Sequence, residues 1–212
     1  MKNRLKFAFF GLALLLSVQA VSAQEFERIP AAEESLYGSR VYVSGDYETM
    51  RNIRNYWQRE AYRLRTLRGA EFALCGSGDA IFKVSIPMRL LYAQNDTTLS
   101  VYADAMLRPF LQYVRGDNPL TSVVVACHSD DNGSPRYLTA MTTARARSVE
   151  RWMRRQGVRT AGVYYYGMAG DSPRSGNDSL AGRERNRRVT LYFVPSKEML
   201  KLAKKNKLNT VK

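Results

Sequence analysis

Two spacings of apolar residues along this chain predict its secondary structure. From Tyr47 to Leu67 they recur every three or four positions among arginines, which predicts an amphipathic helix. From Phe82 to Leu90 they alternate with polar residues, which predicts a strand with one buried face. Pro87 cannot donate a hydrogen bond within a sheet, so we expect this strand to lie at an edge or to carry a bulge.

The same reasoning extends to the C-terminal half. A helix is predicted from Ser100 to Val114, with a kink or early end at Pro109. The apolar run Ser122 to Cys127 predicts a strand buried on both faces, and Ser134-Pro135 then begins a helix that runs to Gln156. Two further strands, "AGVYYYG" and "RRVTLYFVP", flank a long polar loop. This order predicts an α/β two-layer sandwich with helices packed against one sheet.

The two ends of the chain differ from this central part. Residues 1–23 have the features of a secretory signal peptide, because three basic residues precede an apolar run, Phe7 to Val21, that ends in Val21-Ser22-Ala23. The run is shorter than the roughly 18 to 20 residues that a membrane-spanning helix needs. We therefore divide the chain into a signal peptide (1–23), an N-terminal extension with the amphipathic helix (24–79), a main domain (80–195) and a basic tail (196–212).

The chain is strongly basic. Its formal charge is +14, and cleavage after Ala23 would lower this to +11 because residues 1–23 contain three basic and no acidic residues. Such a charge favours anionic surroundings such as lipid headgroups or acidic polymers, and export argues against nucleic acid. The arginine-rich face of the first helix is either a solvated surface or one that lies on a membrane or a partner.

Cysteine and histidine give little support for catalysis or metal binding. Cys75 and Cys127 can form one disulfide in an oxidising compartment, or they can be two small buried thiols, and the sequence leaves both open. The one histidine, His128, adjoins Cys127 on a predicted strand, where neighbouring side chains point to opposite faces. No nucleophile and base pair, metal cluster or cofactor motif is therefore predicted.

One charged residue lies among the apolar positions of the helix predicted to begin at Ser134-Pro135. Arg145 shares a stripe at helical spacing with Met141, Val149 and Trp152, so it points inward or along the rim. A buried charge needs a partner, and Asp130 precedes this helix at the end of a predicted strand, where ligands bind in open α/β sheets. The two residues either form a structural salt bridge or hold the ammonium and carboxylate of a zwitterion.

Three blocks of residues resemble one family. They are Cys127-His128-Ser129-Asp130 with Gly133, then Tyr137 with Arg145-Ala146 and Val149, and finally Gly182-Arg183 with Asn186-Arg187-Arg188-Val189. The order and spacing resemble the OmpA-like peptidoglycan-binding domain, which also occurs in MotB-type stator proteins and outer-membrane lipoproteins. The resemblance covers roughly Phe82 to Val194 and implies a β-α-β-α-β-loop-β domain with a mixed sheet.

The resemblance also implies a ligand and a site. Asp130 and Arg145 match the family residues that hold the ammonium and carboxylate of diaminopimelate in the peptidoglycan stem peptide, and Asn95 and Arg183 match residues beside the same pocket. Leu138 stands where the family has an asparagine, so one polar contact to the ligand is missing.

These observations predict a non-catalytic protein in the periplasm of a Gram-negative bacterium, associated with the cell wall and the outer membrane. It would bind peptidoglycan noncovalently and tether it to the outer membrane or to an envelope complex, with no cofactor. Residues 24–79 are the expected contact for an outer-membrane protein or lipid headgroups. The alternatives are a structural subunit that has this fold without ligand binding, or the targeting subunit of an enzyme that acts on the wall.

Overall fold

A computed structural model describes residues 45–210, and a five-stranded mixed sheet lies at its centre. The predicted signal peptide lies outside the described residues. The strands are β1 (Glu71–Cys75), β2 (Ile81–Pro87), β3 (Thr121–His128), β4 (Val163–Gly167) and β5 (Arg188–Pro195). The helices are α1 (Tyr47–Leu64), α2 (Ala103–Leu107), α3 (Pro135–Arg155), α4 (Leu180–Asn186) and α5 (Lys197–Lys204).

The strands follow the order β1-β2-β5-β3-β4 across the sheet. β3 and β4 are parallel and are joined through α3, whereas β5 lies between β2 and β3 and is antiparallel to both. The last strand in sequence is therefore the central one. The predicted α/β sandwich with a mixed sheet is confirmed.

The sheet contains one strand that the sequence patterns did not reveal. β1 pairs with β2 in an antiparallel hairpin, so of the two alternatives expected for Pro87, an edge strand or a bulge, the edge strand was wrong. Pro87 is accommodated because it is the last residue of β2, and the pairing with β1 already ends at Glu71 and Ser85. The proline therefore has no partner in β1 to which it would need to donate.

The amphipathic helix packs on one face of this sheet, as its pattern predicted. The Trp57 ring stacks on Phe82 with 4.9 Å between ring centroids, and its Nε1 donates a hydrogen bond to the Ala80 carbonyl at 2.9 Å. Tyr113 and Phe193 complete this aromatic group. The exposed arginines of α1 lie on the opposite side of the helix.

The two central helices begin and end close to where their sequences indicate. α2 ends at Leu107, and the following chain, which contains Pro109, is a 3₁₀ helix (Arg108–Tyr113). Ser134 caps α3 by accepting a hydrogen bond from the Tyr137 N–H, and the chain leaves the helix at Gly157 with a positive φ of 87°.

The two cysteines are not joined by a disulfide. Cys75 is the last residue of β1, and Cys127 lies in β3, with β2 and β5 between these two strands. Three inter-strand spacings amount to about 14 Å, well beyond the roughly 4.4–6.8 Å between Cα atoms that a disulfide spans. The structure thus rejects the disulfide alternative.

No helix within residues 45–210 combines the length and the apolar character that crossing a bilayer requires.

Candidate functional site

The turn that follows β3 and contains Asp130 forms one wall of the candidate site. The chain that follows β4 holds this turn, because Met168 N–H donates to the Cys127 carbonyl at 2.8 Å and Ser129 N–H donates to the Ala169 carbonyl at 2.6 Å. Gly170 allows the close approach, since a Cβ there would lie 3.2 Å from the Asp130 carbonyl oxygen. The backbone of Asp130 is therefore fixed by the neighbouring loop.

The carboxylate of Asp130 is buried and already has a cationic partner. Only 4% of the residue is exposed, and its Oδ2 lies 2.7 Å from Nη1 of Arg187. Arg187 also forms an ion pair with Glu184, one turn earlier in α4. The second oxygen, Oδ1, accepts a 3.3 Å hydrogen bond from the Ser129 hydroxyl. A ligand ammonium at Asp130 would have to share the carboxylate with Arg187.

Arg145 is held differently, by a carbonyl and an aromatic ring. Its Nε donates a 2.7 Å hydrogen bond to the Asp96 carbonyl, and its guanidinium carbon lies 5.3 Å from the centroid of the Tyr92 ring. The residue is only 8% exposed. Among residues 45–210, no acidic side chain forms an ion pair with this guanidinium. Both terminal nitrogens can therefore bind a carboxylate.

Tyr92 also fixes the backbone of the helix beneath Arg145. Its hydroxyl donates to the Arg145 carbonyl at 2.7 Å and lies 3.0 Å from the Ser148 hydroxyl. Burial raises the pKa of Tyr92, so the hydroxyl stays protonated and keeps donating. The Tyr92 ring thus helps to position the side chain of Arg145, and the Tyr92 hydroxyl helps to position its main chain.

Cys127 lies beneath the same region and is not a nucleophile. Burial raises the pKa of its thiol to about 12, and the positive charge of Arg145 opposes this shift only in part. Since the thiolate is the reactive form, the buried thiol is inert near neutral pH.

Asp130 and Arg145 do not bond to each other. The structural salt bridge between Asp130 and Arg145, one of the two alternatives from the sequence, is therefore absent from the structure. Each charged group has its own support, Arg187 for the aspartate and Asp96 with Tyr92 for the arginine. Such an arrangement can receive a ligand that carries an ammonium and a carboxylate.

The other two predicted site residues lie in the loops around this pair. Asn95 is exposed and adopts a positive φ of 56° in the turn that ends at Asp96, next to the carbonyl that holds Arg145. Arg183 is partly buried in α4, and its Nη1 donates to the Asn177 carbonyl at 2.7 Å. In the structure Arg183 therefore supports the loop before α4, and ligand contact by either residue stays a prediction.

Leu138 fills its position with an apolar group. It is buried at the start of α3, and a Cβ at Gly133 would come within 3.2 Å of its side chain. The turn and the leucine therefore pack together, and no polar group is offered there.

Sequence reasoning missed three supporting residues: Arg187, Asp96 and Tyr92. Arg187 was within reach, because it belongs to the same Asn186-Arg187-Arg188-Val189 block that drew attention to Arg183. Asp96 acts through its carbonyl, which carries no signal in the sequence. Within residues 45–210, no group of three or more His, Cys, Asp and Glu residues could hold a metal ion.

Comparison with known protein families gives a match over the part of the chain that contains this site. Residues 91–187 match the OmpA family, and this segment contains the turn of Asp130, Arg145 and Arg187. The match covers most of the segment in which the sequence resembles this family. A comparison with curated proteins gave no match in sequence.

Three solved structures share the fold at low sequence identity. A putative MotB-like protein from Desulfovibrio vulgaris is 18% identical, with a TM-score of 0.61 over 70% of this chain and 97% of its own. The cell wall anchor of the T6SS from Pseudomonas aeruginosa is 21% identical, with a TM-score of 0.56 over 68% and 99%. The periplasmic domain of Helicobacter pylori MotB is 18% identical, with a TM-score of 0.53 over 70% and 93%.

Proposed function

Because residues 91–187 form an OmpA family domain, we propose that this protein binds peptidoglycan noncovalently through the diaminopimelate of the stem peptide. Arg145 binds a free carboxylate of that residue, and Asp130 accepts a hydrogen bond from its ammonium. The observation that carries the proposal is the nearly buried guanidinium of Arg145, which rests on the Asp96 carbonyl and the Tyr92 ring without an acidic partner in residues 45–210.

The chemistry of the two groups suits such a ligand. The planar guanidinium presents parallel N–H donors that match a carboxylate, and partial burial strengthens the charge-assisted bonds. The site is small, so we expect modest affinity for one stem peptide and firmer attachment where many copies meet the same wall.

Cosedimentation with purified sacculi tests this proposal, and the chain offers matched controls. Arg147 is an exposed arginine two residues from Arg145 on the same helix, and Asp131 is an exposed aspartate beside Asp130. We expect Arg145→Ala to weaken binding by about 10- to 100-fold, the scale of a lost hydrogen bond to a charged group. Asp130→Asn should weaken it less, and Arg147→Ala and Asp131→Asn should bind like the wild type.

Equal binding by Arg145→Ala and Arg147→Ala, with both variants folded by circular dichroism, would contradict the specific site. Attraction by bulk charge would then remain, and high salt should abolish it by screening. Release of wall fragments during the assay would instead favour a role beside a wall-acting enzyme.

We further propose that the protein tethers the wall to the outer membrane through its basic helices. α1 and α5 pack side by side, with Asn52 Nδ2 donating to the Ala203 carbonyl at 3.0 Å. Seven exposed residues on these two helices, or directly after α5, are basic: Arg51, Arg59, Arg63, Lys197, Lys201, Lys204 and Lys205. Such a surface favours anionic headgroups. Flotation with liposomes that contain anionic lipid, compared with neutral liposomes, tests this role separately from sacculus binding.

A further inference from the structure

The loop between β2 and α2 contains a tight turn with an uncommon backbone conformation. Asp96 N–H donates a 3.2 Å hydrogen bond to the Ala93 carbonyl, which closes a four-residue turn. The third residue of this turn, Asn95, has a positive φ of 56°. Apart from glycine, asparagine is among the few residues that adopt this left-handed conformation readily, because its short polar side chain is tolerated there. The residue type therefore suits this position of the turn.

This turn presents the carbonyl group that holds Arg145. The Asp96 carbonyl accepts the 2.7 Å hydrogen bond from Nε of Arg145, and within residues 45–210 this is the one hydrogen bond that the guanidinium makes. Asn95 directly precedes Asp96, so a rotation of the Asn95 φ and ψ angles would turn the following peptide and move this carbonyl. The contact that positions the Arg145 side chain therefore depends on the backbone of Asn95.

The chain on both sides of the turn is held in place. Tyr92 and Leu99 form an isolated antiparallel bridge, and the Tyr92 ring lies 5.3 Å from the guanidinium carbon of Arg145. After the turn, the Thr98 N–H donates a 2.8 Å hydrogen bond to the Asp96 carboxylate. One loop thus supplies both the ring and the carbonyl that support Arg145. Because its two ends are fixed, the position of the carbonyl is decided by the shape of the turn.

The side chain of Asn95 takes no part in holding this turn. It is exposed, and within residues 45–210 its amide group makes no hydrogen bond. The backbone conformation of Asn95 is what the turn requires, because a residue that disfavours a positive φ would force the turn into another shape. The main chain and the side chain of Asn95 can therefore be tested separately.

From these observations we infer that Asn95 is a positioning residue for Arg145. Its left-handed backbone conformation directs the Asp96 carbonyl to Nε of Arg145, which leaves the two terminal nitrogens of the guanidinium for a ligand carboxylate. The ligand in this inference rests on the proposed function, whereas the link between Asn95 and the guanidinium does not. In this role Asn95 acts through its main chain and needs no contact between its amide group and the ligand.

Two substitutions distinguish this main-chain role from a ligand contact. Asn95→Gly and Asn95→Val both remove the amide group, but glycine adopts a positive φ freely and the β-branched valine does not. In cosedimentation with purified sacculi, we expect Asn95→Gly to bind within about twofold of the wild type, and Asn95→Val to bind about 5- to 30-fold more weakly, the scale of the left-handed penalty. Asn206→Val is the matched control and should bind like the wild type, because Asn206 is also exposed, with a φ of 52°, but follows α5.

An NMR measurement tests the link to the guanidinium without a ligand. The Nε–H signal of Arg145, assigned by its loss in Arg145→Ala, should exchange with water several-fold faster in Asn95→Val than in the wild type, because the hydrogen bond that protects it is weakened. In Asn95→Gly it should exchange at the wild-type rate.

Equal exchange in Asn95→Val and the wild type would overturn the inference, whether or not the protein binds sacculi. Sacculus binding as weak in Asn95→Gly as in Asn95→Val would also overturn it, since the amide group would then be the contact. If the wild type and Arg145→Ala bind sacculi equally, the proposed function fails, and the exchange rates alone decide the role of Asn95.

Discussion

The two charged groups of the candidate site differ in how the fold supports them. Asp130 is paired with Arg187 at 2.7 Å, so its charge is largely balanced within the protein. Arg145 rests on the Asp96 carbonyl and the Tyr92 ring, neither of which carries a full negative charge near the guanidinium nitrogens. The negative charge of Asp130 is thus paired before a ligand binds. The guanidinium of Arg145 is held in position, but no carboxylate forms an ion pair with it within residues 45–210.

This difference indicates which group provides most of the binding energy. A ligand carboxylate meets Arg145 without displacing an ion pair, while a ligand ammonium must share Asp130 with Arg187. We therefore expect loss of Arg145 to weaken binding more than loss of Asp130. We also expect the Asp130 pair to contribute more to the free energy of unfolding than the contacts of Arg145 do.

The largest expected effect on stability comes from Arg187→Ala. The substitution leaves the buried Asp130 carboxylate without its cation, and we expect the free energy of unfolding to fall by about 2 kcal/mol. This is less than the roughly 3–5 kcal/mol for a fully buried pair, because the Arg187 side chain is 31% exposed. Urea denaturation measures the change.

Arg185 provides the matched control for this substitution, since it is an exposed arginine on the same helix. Arg185→Ala should change stability by less than about 0.5 kcal/mol. In the double variant Asp130→Asn with Arg187→Ala, much of the lost stability should return, because no unpaired charge is left. Additive effects of the two substitutions would show that the pair is not coupled.

A smaller effect is expected from Tyr92→Phe, which tests the support of Arg145. The ring remains beneath the guanidinium, but the hydroxyl that donates to the Arg145 carbonyl is lost, at a cost of about 1 kcal/mol in the free energy of unfolding. Sacculus binding should stay close to that of the wild type. Tyr137→Phe, at an exposed tyrosine of α3, should change neither quantity. A large loss of binding in Tyr92→Phe would mean that the helix backbone, more than the ring, positions Arg145.

Much of this fold could be predicted because its signals are local. Ser134, Pro135 and Gly157 mark the ends of α3 within a few residues of chain, and Pro109 ends α2 for reasons of backbone geometry alone. The inward position of Arg145 likewise follows from helical spacing. These features depend on neighbours in sequence, so the sequence displays them directly.

The parts that were missed depend on contacts between distant residues. β1 has five residues, none of which is fully buried, and it is a strand because it pairs with β2. Whether Pro87 lies at an edge depends on where that pairing stops. Asp130 and Arg187 are 57 positions apart and meet because β5 inserts next to β3. The pattern of residues within one segment cannot show which distant segments it will contact in the fold.

The smallest expected effect concerns the carboxyl group of Asp96, whose carbonyl holds Arg145. A hydrogen bond from the Thr98 N–H at 2.8 Å is the main reason that the pKa of this exposed group lies below its ordinary value of 3.8, and the charge of Arg145 lowers it further. Since the pKa is lowered in the folded state, the group stabilises the fold above its unfolded pKa, and this contribution disappears as the pH falls through the folded pKa.

In an NMR titration, Arg145→Ala should raise the pKa of Asp96 only in part, because the Thr98 hydrogen bond remains, and Arg147→Ala should leave it unchanged. A return to 3.8 in Arg145→Ala would show that the guanidinium, and not the turn, sets the charge of Asp96, and the arginine would then be less open to a ligand than its contacts indicate.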